Sequence, residues 1–121
     1  MANIMVVDDA IFMRASIKQV LEAKGHAVVA QAESGTEAIE KYLDVKPDVV
    51  LLDITMPGMN GVEALKRLKV LDADAKIIIC SAIGQQEKIA EAIEAGALDF
   101  IVKPFEPERL TAAVEHALKG K

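Results

Sequence analysis

Charged side chains stand directly after three apolar runs of the chain. They are Asp8 and Asp9 after the first run, Asp53 after the second and Lys103 after the third. If each run is a buried parallel strand, these side chains lie at one edge of the sheet, where ligands of open α/β sheets bind. Three carboxylates and one ammonium sum to a charge of −2, and like charges in contact disfavour joint ionisation. The sequence therefore predicts a divalent cation beside a reactive carboxylate.

Asp53 is the residue that indicates a reaction most directly. An aspartate carboxylate can attack phosphorus to form an aspartyl phosphate. A neighbouring Mg²⁺ would offset the repulsion between this carboxylate and an incoming phosphoryl group. Asp53 could instead be a loop residue or a helix cap. The next helix is predicted to begin only near Val62, however, so Asp53 stands too early in the chain to cap it.

Asp8 and Asp9 are the candidate metal ligands that accompany Asp53. Carboxylate oxygens suit Mg²⁺, which takes one or two carboxylates from a protein and keeps several waters. The alternative is that one of the pair caps the first helix, because aspartate is a common N-cap residue. An adjacent pair after a buried strand favours metal binding over capping alone.

Two further polar residues at this edge are candidates for contact with a phosphoryl group. The Lys103 ammonium is a point-charge partner for a carboxylate or a phosphate. Ser81 follows an apolar run at residues 77–80, and its hydroxyl could donate to a phosphoryl oxygen. The alternatives are an ordinary solvated lysine and a turn serine. Their position beside the three aspartates favours the functional interpretation.

Short β-branched runs alternate with longer helical patterns five times, which predicts βαβ units around a parallel sheet. The predicted strands cover residues 3–7, 27–31, 48–52, 76–80 and 98–102. All except the second are nearly continuous apolar runs, which is typical of strands covered on both faces.

Helix boundaries follow from capping residues and helical spacing. Ser34 is a good cap for the second helix, and Pro107 is a favoured first helical residue for the fifth. The third and fourth helices are predicted at roughly 62–70 and 86–95. The first helix is predicted to end near Gly25 and to bury a face formed by Phe12, Ile17, Val20 and Leu21.

Composition limits the remaining possibilities. The 121 residues, 52% of them hydrophobic, fit one folded domain. A net charge of −5 argues against binding of nucleic-acid phosphates. No apolar run is long enough to span a membrane, and the N-terminus lacks the layout of a signal peptide. The single cysteine, Cys80, fits the reducing cytoplasm, and its apolar setting predicts a small buried hydrophobe.

With these residues identified, the chain resembles the receiver domains of two-component response regulators, most closely those of the chemotaxis branch. The likeness covers essentially the whole chain, 1–121, which we expect to be a single receiver domain without an output domain. Four motifs carry the resemblance: Val6-Val7-Asp8-Asp9, residues 52–61, Cys80-Ser81-Ala82, and residues 100–105. The resemblance implies a flavodoxin-like, doubly wound (βα)5 fold with strand order 2-1-3-4-5.

The resemblance also implies roles for individual residues. Asp53 would be the phosphoacceptor, and Asp9, Asp53 and the backbone carbonyl of Thr55 would ligate Mg²⁺, with Asp8 acting mainly through water. Ser81 and Lys103 would bind the phosphoryl group.

Phosphorylation would draw the Ser81 loop inward and let Phe100 turn toward the vacated space, changing a surface of the fourth helix, fifth strand and fifth helix. Phe100 could instead be a plain core residue. Many relatives have tyrosine at this position, so any switching at Phe100 must work through packing rather than through a hydroxyl.

The implied partners are a sensor histidine kinase, the flagellar motor switch protein and a phosphatase, and we expect a monomer. Within the same class, the chain could be a phosphorelay intermediate or a receiver from a longer regulator. From the enzyme class, a Mg²⁺-dependent aspartyl phosphatase is the alternative, although the adjacent pair Asp8-Asp9 and the late Asp53 do not match its usual motif. A flavin carrier is disfavoured because Asp8 and Asp9 would repel the flavin phosphate, and a Walker loop is absent.

Overall fold

The computed structural model describes residues 2–56 and 59–120. Within them, strands and helices alternate from one end to the other, as predicted. The strands are β1 (Asn3–Val7), β2 (Ala27–Ala32), β3 (Val49–Asp53), β4 (Ile77–Ser81) and β5 (Asp99–Val102). The helices are α1 (Ile11–Ala23), α2 (Gly35–Val45), α3 (Gly61–Leu71), α4 (Gln86–Glu94) and α5 (Pro107–Gly120).

The five strands form one parallel sheet in the order β2-β1-β3-β4-β5, which confirms the predicted strand order. In the register of this sheet, Asp53 pairs with Cys80 and Ser81 pairs with Val102. Both Asp53 and Ser81 are the last residues of their strands, one position later than the predicted strand ends. The extra residues belong to the strands because the backbone pairing continues, with the Ile54 N–H donating to the Cys80 carbonyl at 2.9 Å.

Helices cover both faces of the sheet, and alternate strand residues separate two hydrophobic cores. On one face, Ile4 and Val6 of β1 pack with residues of α1 and α5. On the other face, Met5 and Val7 pack with residues of α2, α3 and α4. This doubly wound arrangement explains why β1 and β3 are continuous apolar runs, since both faces of each strand are buried.

The prediction that β5 is covered on both faces is wrong. β5 has only one strand neighbour, β4, and its residues are mostly half-buried or exposed. Phe100 is 38% exposed and therefore is not a core residue. The cause is that β5 is the outermost strand on its side of the sheet. An apolar run alone does not reveal this position.

Capping side chains begin two of the helices. Ser34 accepts a hydrogen bond from the Glu37 N–H, as predicted, and Asn60 accepts one from the Glu63 N–H at 2.9 Å to begin α3. Neither Asp8 nor Asp9 is the N-cap residue of α1, because that position is occupied by Ala10, and no side-chain cap bond is made to the first turn. This result removes the capping alternative for the aspartate pair.

The inward face predicted for α1 is wrong at Phe12. Ile17 and Leu21 are buried, but Phe12 is 72% exposed and lies in the first turn of the helix. Ile11 in the same turn is also exposed, so helical spacing alone does not determine burial at the start of α1. Cys80 is buried as predicted, and burial raises the pKa of its thiol to about 12.

Candidate functional site

The carboxyl edge of the sheet brings together the three predicted aspartates. Carboxylate oxygens of Asp8, Asp9 and Asp53 all lie within 4.8 Å of one another. Asp8 and Asp53 are buried, with exposed fractions of 2% and 6%, whereas Asp9 is exposed. Carboxylate oxygens are hard donors that suit Mg²⁺, which takes one or two of them directly and keeps several waters.

Local hydrogen bonds fix Asp8 at the tip of β1. Its Oδ1 accepts from the Ala10 N–H at 2.9 Å, and its backbone N–H donates to the Ala32 carbonyl at the end of β2. The Arg14 guanidinium donates to the Asp8 carbonyl at 2.6 Å and to the Gln31 side chain at 3.1 Å. Asp8 is therefore oriented by its neighbours, while the Asp9 carboxylate accepts no hydrogen bond from the described residues.

Lys103 provides the positive charge of the site. Its Nζ lies 2.8 Å from Asp8 Oδ2 and 3.5 Å from Asp53 Oδ2, and its side chain is 21% exposed. Burial acts to lower the pKa of Lys103, but the hydrogen bond to Asp8 and the charge of Asp53 outweigh burial, so the pKa is raised overall. The interpretation of Lys103 as an ordinary solvated lysine is therefore excluded.

The tip of β5 is held against β4. The Lys103 N–H donates to the Ser81 carbonyl at 2.8 Å, and the Lys103–Pro104 peptide bond is cis. The backbone hydrogen bond places Lys103 beside the end of β4, and its side chain reaches Asp8 at the end of β1 and Asp53 at the end of β3.

Burial raises the pKa of Asp53 above its ordinary value. The hydrogen bond from the Thr55 N–H and the charge of Lys103 act in the opposite direction, while Asp8 and Asp9 add to the increase. Without a bound metal ion, the ionised form of Asp53 is therefore destabilised by its surroundings, despite the charge of Lys103. A divalent ion would reverse this effect, since it neutralises the local charge of −2.

Ser81 is fully buried at the end of β4, and its hydroxyl has no hydrogen-bond partner among the described residues. A buried hydroxyl without a partner is costly unless a ligand satisfies it. The interpretation of Ser81 as a turn residue is wrong, because Ser81 belongs to the strand. The Ser81 hydroxyl is thus available to an oxygen-rich ligand at this edge.

Phe100 is separated from the charged cluster and lies beside a cavity of about 300 Å³. The loop at 82–85, three residues of α4 and Val102 of β5 complete its lining; the α4 residues are Gln86, Ile89 and Ala90. The cavity therefore lies between α4 and β5, next to the loop that follows Ser81.

Several contacts at the site were not predicted from the sequence. The Thr55 N–H donates to Asp53 Oδ1 at 3.1 Å. At Gly61, a Cβ atom would lie 2.4 Å from the Asp53 carbonyl oxygen, so only glycine allows α3 to begin so close to β3. The spacing Asn60-x-x-Glu63 could have indicated the start of α3. Pro57 and Gly58 of the same motif lie outside the described residues.

Among the described helices, none combines the length and the apolar character needed to cross a lipid bilayer.

Comparisons with known proteins agree with this geometry. The family model for the response regulator receiver domain matches residues 4–115. The chain is 54% identical to the chemotaxis protein CheY of Bacillus subtilis (strain 168), over 96% of this chain and 97% of that protein. It is 51% identical to the chemotaxis protein CheY of Thermotoga maritima, over 97% of this chain and 98% of that protein.

A solved structure shares the same fold. The crystal structure of the CheX-CheY-BeF3-Mg complex from Borrelia burgdorferi contains a chain that is 32% identical, with a TM-score of 0.91. The match covers 98% of this chain and 90% of that chain. The chain belongs to the receiver domain family of two-component response regulators.

Proposed function

We propose that the chain is a phosphoacceptor switch in which Asp53 receives a phosphoryl group. The observation that carries this proposal is the position of Asp53. Its buried carboxylate lies 3.5 Å from the Lys103 ammonium and within 4.8 Å of the Asp8 and Asp9 carboxylates, in a sheet that also presents the Ser81 hydroxyl, which has no hydrogen-bond partner among the described residues. This set contains a nucleophile, a cation and a hydrogen-bond donor, which are the groups that phosphoryl transfer to a carboxylate requires.

The residues at the edge fit a Mg²⁺ ion. Asp9, Asp53 and the Thr55 carbonyl would ligate the ion, while Asp8, which accepts the closer hydrogen bond from Lys103 at 2.8 Å, would act mainly through water. When bound, Mg²⁺ would offset the repulsion between the carboxylates and the phosphoryl oxygens.

The transfer forms one bond and breaks one. An Asp53 carboxylate oxygen attacks phosphorus, and the P–N bond of a donor phosphohistidine breaks. The electron pair of that bond stays on the imidazole nitrogen, which is the leaving group. Lys103 moves from pairing with carboxylates toward the new phosphoryl oxygens, and the Ser81 hydroxyl donates to one of them. Each protein molecule accepts one phosphoryl group. The protein therefore acts as a signalling protein that catalyses its own phosphorylation and dephosphorylation.

The change in charge provides the output. A phosphoryl group adds about −1.5 to −2 charges and three acceptor oxygens at the tip of β3. Movement of the Ser81 loop toward these oxygens would open space beside Phe100, which already borders a cavity. Reorientation of Phe100 would change the surface formed by α4, β5 and α5.

Incubation with acetyl phosphate and Mg²⁺, followed by intact-protein mass spectrometry, tests the proposal. We expect the mass gain of one phosphoryl group in the wild-type protein and no gain in Asp53→Asn. Asp48→Asn, which changes an exposed aspartate at the opposite edge of the sheet, is the matched control and should be labelled like the wild type. Labelling of Asp53→Asn would overturn the proposal.

We propose that the partner is the flagellar motor switch and that a chemotaxis kinase is the phosphoryl donor. We also propose that the protein acts in the reducing cytoplasm, with which its free, buried cysteine is compatible. The support is the identity of about half the residues to proteins named for chemotaxis. A relay role is the competitor, since the chain is also 38% identical to the sporulation initiation phosphotransferase F of Bacillus subtilis.

Binding of the beryllofluoride-treated protein distinguishes these roles. Tighter binding to a flagellar switch protein supports the motor-switch role. Preference for a histidine phosphotransfer protein would replace that role with a relay.

A further inference from the structure

One side chain joins the two loops that follow Asp53 and Ser81. Gln85 Oε1 accepts a hydrogen bond from the Ala82 N–H at 2.8 Å, and Gln85 Nε2 donates to Thr55 Oγ1. Ala82 is the residue after Ser81, and Thr55 is two residues after Asp53. The bridge therefore links the tips of β3 and β4, which are adjacent strands.

The bridge is not explained by the start of α4. Gln85 occupies the N-cap position of that helix, where a side-chain oxygen normally accepts from the first turn, but it makes no such cap bond. Its amide is instead directed back to the loops. Gln86, the next residue, is exposed, and its side chain makes no hydrogen bond within the described residues.

One end of the bridge is the Thr55 hydroxyl and the other is the Ala82 backbone N–H, and both residues stand beside groups that the proposed phosphorylation must alter. The Thr55 N–H donates to Asp53 Oδ1, whose charge and bulk change when a phosphoryl group is added. The Ser81 hydroxyl has no hydrogen-bond partner in the part of the chain that the structure describes, and it must approach the phosphoryl group together with the adjacent Ala82 backbone. In the present arrangement, the Ala82 N–H is held by Gln85.

We propose that Gln85 is a positioning residue that latches the two loops in the resting state. The inference rests on the proposed function and adds a specific regulator to it. The Gln85 bridge stabilises the conformation in which the Ser81 hydroxyl is unpartnered, and its release permits the loop to close on the phosphoryl group. Apparent affinity for a phosphoryl group then falls with the fraction of molecules in the latched state.

Beryllofluoride with Mg²⁺ is the probe, because it mimics a phosphoryl group on a carboxylate without a covalent reaction. The bridge consists of two hydrogen bonds of ordinary net strength at a partly exposed position. Because Gln85→Ala removes both, we expect this variant to bind beryllofluoride about threefold to tenfold more tightly than the wild type. Thr55→Val keeps the backbone N–H and carbonyl but removes one end of the bridge, so it should show part of the same gain. The matched control is Gln86→Ala, which should bind like the wild type.

Two readouts separate a latch from a merely structural role. Mg²⁺ affinity in the absence of beryllofluoride should be unchanged in Gln85→Ala, because the bridge contacts the Thr55 hydroxyl and neither the carboxylates nor the Thr55 carbonyl. Exchange of the Ala82 amide hydrogen should be faster in Gln85→Ala, since the Gln85 side chain is its hydrogen-bond partner.

The outcomes also separate failure of the latch from failure of the proposed function. Absence of beryllofluoride binding in the wild type, or binding that persists in Asp53→Asn, contradicts the proposed function. Asp53-dependent binding that is equal or weaker in Gln85→Ala contradicts the latch alone. Equal exchange of the Ala82 amide in the two proteins also contradicts the latch.

Discussion

Carboxylates at the carboxyl edge of the sheet, where the strands end, have different neighbours from carboxylates at the opposite edge, where the strands begin. At the carboxyl edge, Asp8 and Asp53 are buried together around one ammonium, that of Lys103. At the opposite edge, Asp48 accepts the Asn3 N–H, and Asp72 accepts the Tyr42 hydroxyl at 2.7 Å. These two aspartates each have a neutral donor and contact with solvent.

The difference separates carboxylates with a purely structural environment from the carboxylates of the proposed site. An aspartate that only terminates a helix or begins a strand is stable with a neutral donor and water, and the opposite edge provides both. The carboxyl edge instead concentrates like charges in a partly dry site, which costs stability. Such a conflict between charge and burial is typical of sites where a ligand completes the electrostatics.

Removal of the ammonium should have the largest effect on stability. We expect Lys103→Met to lower the free energy of unfolding by about 3 kcal/mol in EDTA, because it leaves two buried carboxylates without their cation. The control is Lys66→Met at the exposed pair with Glu91, where the loss should be about 0–1 kcal/mol. Urea denaturation measures both values, and equal losses would remove the distinction between the two kinds of pair.

Addition of Mg²⁺ should stabilise only the carboxyl edge. At a Mg²⁺ concentration of about 100 times its Kd, the wild type should gain about 2.7 kcal/mol in the free energy of unfolding. Asp9→Asn should gain much less, because Asp9 is the most accessible carboxylate of the cluster. Asp72→Asn at the opposite edge should gain as much as the wild type. Thermal unfolding with and without Mg²⁺ gives these differences, and an undiminished gain in Asp9→Asn would contradict the proposed ligand set.

Neutralisation of the proposed acceptor should stabilise the metal-free protein. Because the pKa of Asp53 is raised on folding, ionisation at neutral pH costs stability, and that cost appears as the pH rises through the ordinary carboxyl pKa and then the raised folded pKa. Asp53→Asn should therefore gain about 0.5–2 kcal/mol in EDTA at neutral pH. The gain should shrink in acid, whereas Asp48→Asn should show none. A loss of stability in Asp53→Asn would mean that ionisation of Asp53 does not destabilise the folded protein.

The smallest effect is expected at the Tyr42–Asp72 pair. Burial and the hydrogen bond to Asp72 raise the pKa of Tyr42, while the Tyr42 hydroxyl lowers the pKa of Asp72 below 3.8. The stability from Asp72 is present above that ordinary value and is lost as pH falls through the lowered folded pKa. The contribution of Tyr42 is present below its ordinary pKa of 10.0 and is lost as pH rises beyond it.

Tyr42→Phe should therefore be slightly less stable than the wild type at neutral pH, with a difference that narrows in acid and in alkali. Unfolding curves across this range measure the difference. A constant difference would show that the hydroxyl contributes only through packing.

The sequence was sufficient to predict the charged edge because it depends on strand direction alone. Parallel strands place their ends together, so Asp8, Asp53 and Lys103 converge even though the ends of β3 and β4 were predicted one residue early. The exposure of Phe100 was not predicted, since an apolar run does not reveal which strand is the outermost one. The exposure of Phe12 was not predicted, since helical spacing does not reveal whether the first turn of a helix is covered. The Gln85 bridge has no sequence signal, because it depends on how two loops meet.

The position of the phosphoryl group is the most direct test of the account. After incubation with acetyl phosphate and Mg²⁺, borohydride reduces an aspartyl phosphate to homoserine, which peptide mass spectrometry can locate in the sequence. We expect homoserine at position 53 and at neither position 8 nor position 9. Homoserine at position 8 or 9, or a stable phosphoryl group on Ser81, would contradict the assignment of Asp53 as the acceptor.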